Sequence, residues 1–280
     1  MHSYTKGSTF TASKITTFWL LMYHFNYIIY KIIKILVCIS SVPDTTSKIN
    51  FTDENKKFDP TGVQFIINPN DEFCLTKAIL LKEKLGATIT LVNVGTQETE
   101  PVLRKASAIG ADDIIRIDAT PTDAFFVATQ LAKVAKEGNY DLIITGKESI
   151  DYNGGMVGGF LAGLLNLPFI NKCIGLDING TEVTAEREID GGKEKLSATL
   201  PLVIAGQKGL TQEKDLRIPN MRNLMAARTK VITVLPAENT NTRVTTIGFE
   251  KLPAKKPVKM VSADDLDTLI DLLHNEAKVI

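Results

Sequence analysis

Between Lys34 and Gly146 the sequence keeps changing its hydrophobic period, and this alternation constrains the fold more than any other feature. Lys34-Ile-Leu-Val-Cys-Ile-Ser40 is a continuous apolar run of β-formers, and so a strand buried on both faces. Val42-Pro-Asp44 ends it, and Phe65-Ile-Ile67 leads into a helix that reaches Leu85 and stops at Gly86. Asn70 is read as the cap of that helix, with Asp71 and Glu72 at its positive end. Thr88 to Val94 is a strand ending at Gly95, Thr99 to Ile109 a helix closed by Gly110, and Asp113 to Ile117 a strand. Thr122 to Lys136 is a helix closed by Gly138, and Asp141 to Thr145 the next strand. Strands alternating with helices of this length predict an α/β fold with a mainly parallel, doubly wound sheet. Right-handed crossovers put every strand's carboxyl end on one edge, where Ser40, Asn68–Asp71, Val94–Gly95 and the stretch from Gly146 gather.

That stretch reads Gly146-Lys-Glu-Ser-Ile-Asp-Tyr-Asn-Gly-Gly-Met-Val157 and precedes the small-residue helix Gly158–Leu165. A glycine-rich loop between a strand's carboxyl end and a helix start is where α/β sheets hold nucleotides, since free N–H groups and the helix dipole favour a phosphate. It is neither G-x-x-x-x-G-K-[ST] nor G-x-G-x-x-G, so two readings stay open: a phosphate cradle, or a connection whose glycines only make the turn.

Acidic and basic residues balance at 32 each, so nothing in the charge points to nucleic acid or an anionic membrane surface. Cys38, Cys74 and Cys173 are widely spaced and odd in number, without a metal or disulfide pattern, which indicates a reducing compartment: the cytoplasm or, alternatively, the mitochondrial matrix. His2, His24 and His274 all lie far from any predicted strand end, which argues against a histidine base. Residues 1–33 contain no Asp or Glu. Their apolar run from Thr17 to Tyr30 is interrupted by His24 and Asn26, too short and polar for a membrane helix and lacking a small-residue cleavage site. The expectation is an N-terminal extension outside the fold.

The texture changes after Leu165. Asn179-Gly180 and Asp190-Gly-Gly192 mark turns between Phe169–Asp177, Thr181–Ile189 and Lys193–Thr199, an antiparallel hairpin section. Leu202 to Ala205 is a further strand. Residues 206–230 are a long loop leading into a short basic helix, and Val231 to Leu235 closes an α/β domain of residues 34–235. Residues 236–261 read as an extended linker. Ser262 is read as the start of a last helix, with Asp265 completing a capping box. Leu266, Leu269, Ile270, Leu273 and Ala277 form one apolar stripe. Residues 236–280 are thus an arm that either packs back on its own domain or docks on another subunit.

From Lys34 onward the chain resembles the beta (small) subunit of electron-transfer flavoprotein. The resemblance rests on Ile35-Leu-Val-Cys38 with Val42-Pro-Asp44, Asn68-Pro with its acidic helix start, Ile109-Gly-Ala-Asp112 and Gly146-Lys-Glu-Ser-Ile-Asp151. It continues in Glu186-Arg-Glu-Ile-Asp-Gly-Gly192, Leu200-Pro201, Arg217-Ile-Pro-Asn220, Leu224-Met-Ala-Ala-Arg-Thr-Lys230 and the terminal arm. It implies a heterodimer with an alpha subunit that holds most of an FAD, while the beta subunit binds AMP. It implies electron transfer from acyl-CoA and related dehydrogenases toward a quinone oxidoreductase, with no catalytic residue, metal, nucleic-acid partner or direct membrane insertion. Carried over by motif, the AMP pocket is Cys38, Asn68, Pro69, Asn70, Asp71 and Val94 with Gly146, Lys147, Glu148, Ser149, Ile150, Asp151, Tyr152, Asn153, Gly154, Gly155, Met156 and Val157. Many members read Gln-Thr-Gly where this chain has Met156-Val-Gly158, so no hydroxyl is available at Val157 and the phosphate must be met by backbone N–H groups and Asn153. Members that bifurcate electrons place a second FAD in this pocket.

The same resemblance and the loop chemistry put Ile218, Leu224 and Met225 at a partner-recognition surface, and Arg187, Glu188, Leu269 and Leu273 at a subunit interface. Each has a plainer reading: a disordered loop for the first set, a local cross-strand pair for Arg187 and Glu188. Lys147 is either a phosphate contact or a solvated loop lysine, and Asp151 either a ribose contact or a helix cap. An ATP-splitting ligase would need a glycine-rich phosphate loop after the first strand, where this chain reads Ile39-Ser-Ser-Val-Pro-Asp44. A nucleotide-binding interaction module is the remaining alternative.

Overall fold

The computed structural model describes residues 32–253 and 257–280. The expectation for residues 1–33 falls almost wholly outside them. The chain divides into two compact units. One holds the described residues up to Ile49 with Pro60–Thr245, the other Asn50–Asp59 with Thr246–Ile280.

In the first unit the strands are β1 (Lys34–Cys38), β2 (Ser41–Pro43), β5 (Phe65–Ile67), β6 (Thr88–Val94), β7 (Asp113–Asp118), β8 (Leu142–Gly146), β9 (Phe169–Asn179), β10 (Glu182–Ile189), β11 (Gly192–Thr199), β12 (Leu202–Gly206) and β13 (Thr233–Pro236). The helices are α1 (Pro69–Leu85), α2 (Glu100–Gly110), α3 (Ala124–Gly138), α4 (Val157–Leu165) and α5 (Met221–Thr229). One nine-stranded sheet runs in the order β11-β10-β9-β12-β8-β1-β6-β7-β13. From β9 to β13 neighbours are parallel; β9, β10 and β11 are joined antiparallel.

The apolar runs sit in the middle of this sheet because both faces are covered. Ile35 and Val37 face a core built with Leu75, Ala78 and Ile79 of α1 and Leu103 of α2. Leu36 and Cys38 face the opposite core, with Leu131 and Ala135 of α3 and Leu161 of α4. Helices on both faces make the sheet doubly wound, as the sequence predicts. The chain leaves β1 toward β6 and β7 and then returns to lay β8 on the other flank of β1. The strand order therefore reverses between β1 and β8, and the loop from Gly146 leaves from that reversal.

Local chemistry moves the start of α1 and bears out its end at Gly86. The cap of α1 is Asn68, not Asn70, because Pro69 takes the first helical position, where its missing N–H costs nothing. Gly86 ends α1 at φ 69°, a left-handed turn that glycine adopts without strain.

The second unit holds a hairpin absent from the sequence reading, β3 (Asn50–Thr52) against β4 (Lys57–Asp59). Its turn places Asp53, Glu54 and Asn55 at φ 53°, 55° and 64°, so no glycine signals it. Phe51 stacks on Phe249 with centroids 4.7 Å apart, and the Phe249 N–H donates to the Asn55 carbonyl at 2.8 Å. The last helix, α6 (Leu266–Asp271), is capped by Asp265, which accepts the Thr268 N–H at 3.1 Å, and not by Ser262. A wider turn, Leu272–Glu276, follows it.

Candidate nucleotide site

The Asn68-Pro-Asn-Asp71 turn works as a hub between β1 and the glycine-rich loop. The Asn68 N–H donates to Ser40 O at 3.0 Å, and Asp71 accepts the Ser40 N–H at 2.7 Å. On the other side, the Asn68 amide donates to Glu148 O at 2.9 Å and accepts the Ile150 N–H at 3.3 Å. Asn70 adds a second amide donor to Glu148 O at 3.0 Å. Asn68 is fully buried and Asp71 nearly so. The side chains of Asn68, Asn70 and Asp71 therefore hold the loop and the strand end in place, and any ligand they help bind meets a frame they have built.

Burial pushes the Asp71 carboxyl up to about 7, against the opposing pull of hydrogen bonds from Ser40, Asn68 and Gly146. Burial first, then the nearby Asp71 charge, raises the Cys38 thiol well above its usual range, so it is an inert core group. Val94 ends β6 close to full burial. Asn93, which the sequence reading passed over, donates its amide to Ile39 O at 2.9 Å and so ties β6 to the exit of β1. A buried Asn inside an apolar run was the available signal.

Gly146 stands where nothing larger fits: a Cβ there would lie 2.2 Å from an Asp71 carboxylate oxygen. Beyond it, Lys147 donates its N–H to Gly206 O at 2.7 Å, while its ammonium pairs with Glu148 at 3.0 Å. The Asn153 N–H reaches Ser149 O at 2.8 Å, and its side chain donates to Ile150 O at 3.3 Å. Asp151 accepts the Tyr152 N–H at 3.0 Å and caps no helix. The left-handed positions are Asn153 at φ 51° and Gly155 at φ 60°. Gly154, where the glycine repeat suggests such a turn, is not one of them.

The loop delivers the chain to α4, whose N-cap position is Met156 with no side-chain cap. The N–H groups of its first turn, from Val157 to Gly159, have no intrahelical partner, and this helix end follows the loop that leaves the strand reversal. Gly158 lets the helix approach closely, because a Cβ there would lie 2.9 Å from Phe169 and from the Thr145 hydroxyl. Tyr152 and Met156 are exposed beside it. Uncapped N–H groups at the positive end of a helix dipole favour an anion. Among the described residues no His, Cys, Asp and Glu cluster could hold a metal, and no helix is long and apolar enough to cross a membrane.

The remaining predicted residues lie elsewhere. Arg187 pairs with Glu194 across β10 and β11, and Glu188 accepts the Gln207 amide, so both have local partners. Ile218 and Met225 are exposed, but Leu224 is half-buried. Met221, four residues before Met225 on the same face of α5, is exposed as well, at 75%. In the arm, Leu269 is exposed and Leu273 half-buried.

Residues 56–240 match the family model described as Electron transfer flavoprotein domain. Electron transfer flavoprotein subunit beta of Bacillus subtilis is 37% identical over 251 residues, covering 85% of this chain and 96% of that protein. The mitochondrial subunit beta of Oryza sativa subsp. indica is 33% identical over 259 residues, covering 88% and 100%. Electron transfer flavoprotein subunit beta of Homo sapiens is 29% identical over 244 residues, covering 84% and 95%. With a doubly wound sheet, a hairpin section and a terminal arm in the order the motifs imply, the chain belongs to the electron transfer flavoprotein family, among its beta subunits.

Proposed function

We propose that this chain is the AMP-binding half of a heterodimeric electron carrier. The observation that carries the reading is the uncapped first turn of α4 at the strand reversal, reached through Gly155 at φ 60°. A nucleotide's phosphate satisfies the N–H groups from Val157 to Gly159 without needing a hydroxyl at Val157. The frame of Asn68, Asn70 and Asp71 keeps the loop open for it at no cost of reorganisation on binding. FAD, held mainly by the alpha subunit, supplies the redox chemistry, and this chain supplies binding and position. Electrons come from acyl-CoA and related dehydrogenases and pass to a quinone oxidoreductase. The exposed Ile218, Met221 and Met225 form an apolar surface suited to the donor, and the exposed stripe of the arm suits the alpha subunit. The three described cysteines are buried and free, which is consistent with the cytoplasm or the mitochondrial matrix.

The test is to purify the chain with its alpha partner, denature the complex and identify the released nucleotides by mass. AMP and FAD in equal amounts is the expected result. Two FAD and no AMP would assign the pocket to an electron-bifurcating variant. A complex releasing FAD alone, at one per heterodimer, would show that the loop is only a connection.

A further inference from the structure

Two helices, α2 and α5, cap each other. Arg104 on α2 donates from one guanidinium nitrogen to the carbonyls of Ala227 at 2.9 Å and Arg228 at 2.9 Å, orphan acceptors in the last turn of α5, and to that of Lys230 just beyond it at 3.0 Å. Lys230, just past α5, sends its ammonium back to Ala111 O at 2.5 Å, beyond the end of α2. Both contacts put a cation at a helix's negative end. Behind Arg104 stands Glu100 at 3.8 Å, and Glu100 lies 3.4 Å from the nearly buried Arg116, which donates to Gly95 O at 3.0 Å.

These polar contacts matter because burial anchors α5 only thinly, with Leu224 half-buried. Ala227 is its one buried residue, and a methyl group sets a helix's rotation weakly. The two methionines on the outer face are 75% and 57% exposed, at Met221 and Met225, with Ile218 at 90% just before the helix. A helix that presents unbranched, adaptable side chains to a partner must itself be fixed, or the order lost on docking subtracts from affinity.

We propose that Arg104 is a positioning residue: by capping α5 it fixes the helix that carries Met221 and Met225 and thereby sets the affinity for the electron-donating dehydrogenase. This rests on the reading of that helix as the donor-facing surface. Arginine suits the place because its rigid fork holds one terminal nitrogen on the three carbonyls while the other faces Glu100 at 3.8 Å, whereas a lysine ammonium is a single point charge on a flexible stem. Arg104 touches neither flavin nor nucleotide in this assignment, so its loss acts on docking and leaves electron transfer within the docked complex unchanged.

The experiment uses the assembled heterodimer and an acyl-CoA dehydrogenase reduced by its acyl-CoA. Arg104→Met is expected to raise KM for the dehydrogenase about tenfold with kcat held within about twofold, and Arg104→Lys to recover part of that loss. Lys230→Met is expected to move KM in the same direction by less. Met221→Ser with Met225→Ser reports on the surface itself. If the methionine pair raises KM and Arg104→Met does not, the proposal is overturned while the surface reading stands. If neither raises KM, both fall. Should Arg104→Met lose its flavin, Arg104→Lys and Lys230→Met decide: a raised KM with full flavin supports the proposal, an unchanged KM overturns it.

Discussion

Asp71 accepts the backbone N–H of Ser40 at 2.7 Å, and this bond locks the exit of the central strand to the first turn of α1. The carboxyl making it is 2% exposed and is pushed up from 3.8 to about 7, chiefly by burial. In the native state the group therefore keeps a proton that the unfolded chain has already released. Its contribution to stability is complete below pH 3.8 and is lost as pH rises toward about 7. Across that window the slope against pH approaches about 1.4 kcal/mol per unit. Asp71→Asn removes the titration. Urea unfolding at pH 5 and pH 8 should show wild type losing stability relative to the variant as pH rises. A gap that is the same at both values would exclude this assignment.

Gly146 and Gly155 are required for different reasons. At Gly146 the obstacle is space, since a Cβ would lie 2.2 Å from Asp71 and 3.0 Å from Asn68 and Asn70. Gly146→Ala should cost about 1–3 kcal/mol and release the nucleotide, because the hub must shift. At Gly155 a Cβ would make only ordinary contact, 3.6 Å from Lys147 O, and the obstacle is φ 60°, so Gly155→Ala should cost about 1 kcal/mol and weaken binding less. Gly154 has neither constraint, with Met156 at 3.8 Å as its nearest neighbour. Gly154→Ala should retain full nucleotide content by mass and its thermal midpoint; loss of nucleotide in that variant would mean the loop's shape differs from the one described.

How much of this was legible follows from where the constraint on each residue acts. Ile35–Val37 and Leu142–Ile144 are buried on both faces, so continuous apolar runs named their strands and the doubly wound sheet. The loop was legible because glycines mark close approach, but the hub was not. Asn68 and Asn70 look like ligand contacts in sequence, and only the fold brings Glu148 O within reach of both. The β3–β4 hairpin escaped notice because Asp53, Glu54 and Asn55 make a left-handed turn without glycine. Arg104 was passed over because its partners lie more than a hundred residues later, and no periodicity carries that information.

In the second unit, the Phe51 and Phe249 rings stack with centroids 4.7 Å apart and nearly parallel planes, joining the hairpin to residues just after Gly248. A double-mutant cycle with Phe51→Ala and Phe249→Ala should return a coupling of about 0.5–1.5 kcal/mol, the range for stacked aromatic pairs. Strict additivity of the two single losses would show that the rings contribute by separate burial and not through each other.

On α6, Leu266 is 63% exposed and Ile270, one turn later, 55%, with Leu269 at 40% between them. An apolar stripe left this open contributes little to the chain that carries it, and burying one such side chain fully is worth roughly 1.5–3 kcal/mol. Leu266→Asp with Ile270→Asp should therefore leave the thermal midpoint of the isolated chain unchanged. In a heterodimer the same carboxylates would be buried without partners against the alpha subunit. The dissociation constant should rise at least about tenfold, equivalent to ~1.4 kcal/mol. Titrating the alpha subunit by calorimetry alongside a melting curve separates the two effects. An unchanged dissociation constant with a lowered midpoint would mean the stripe packs on its own chain and that docking on the alpha subunit is carried by other residues.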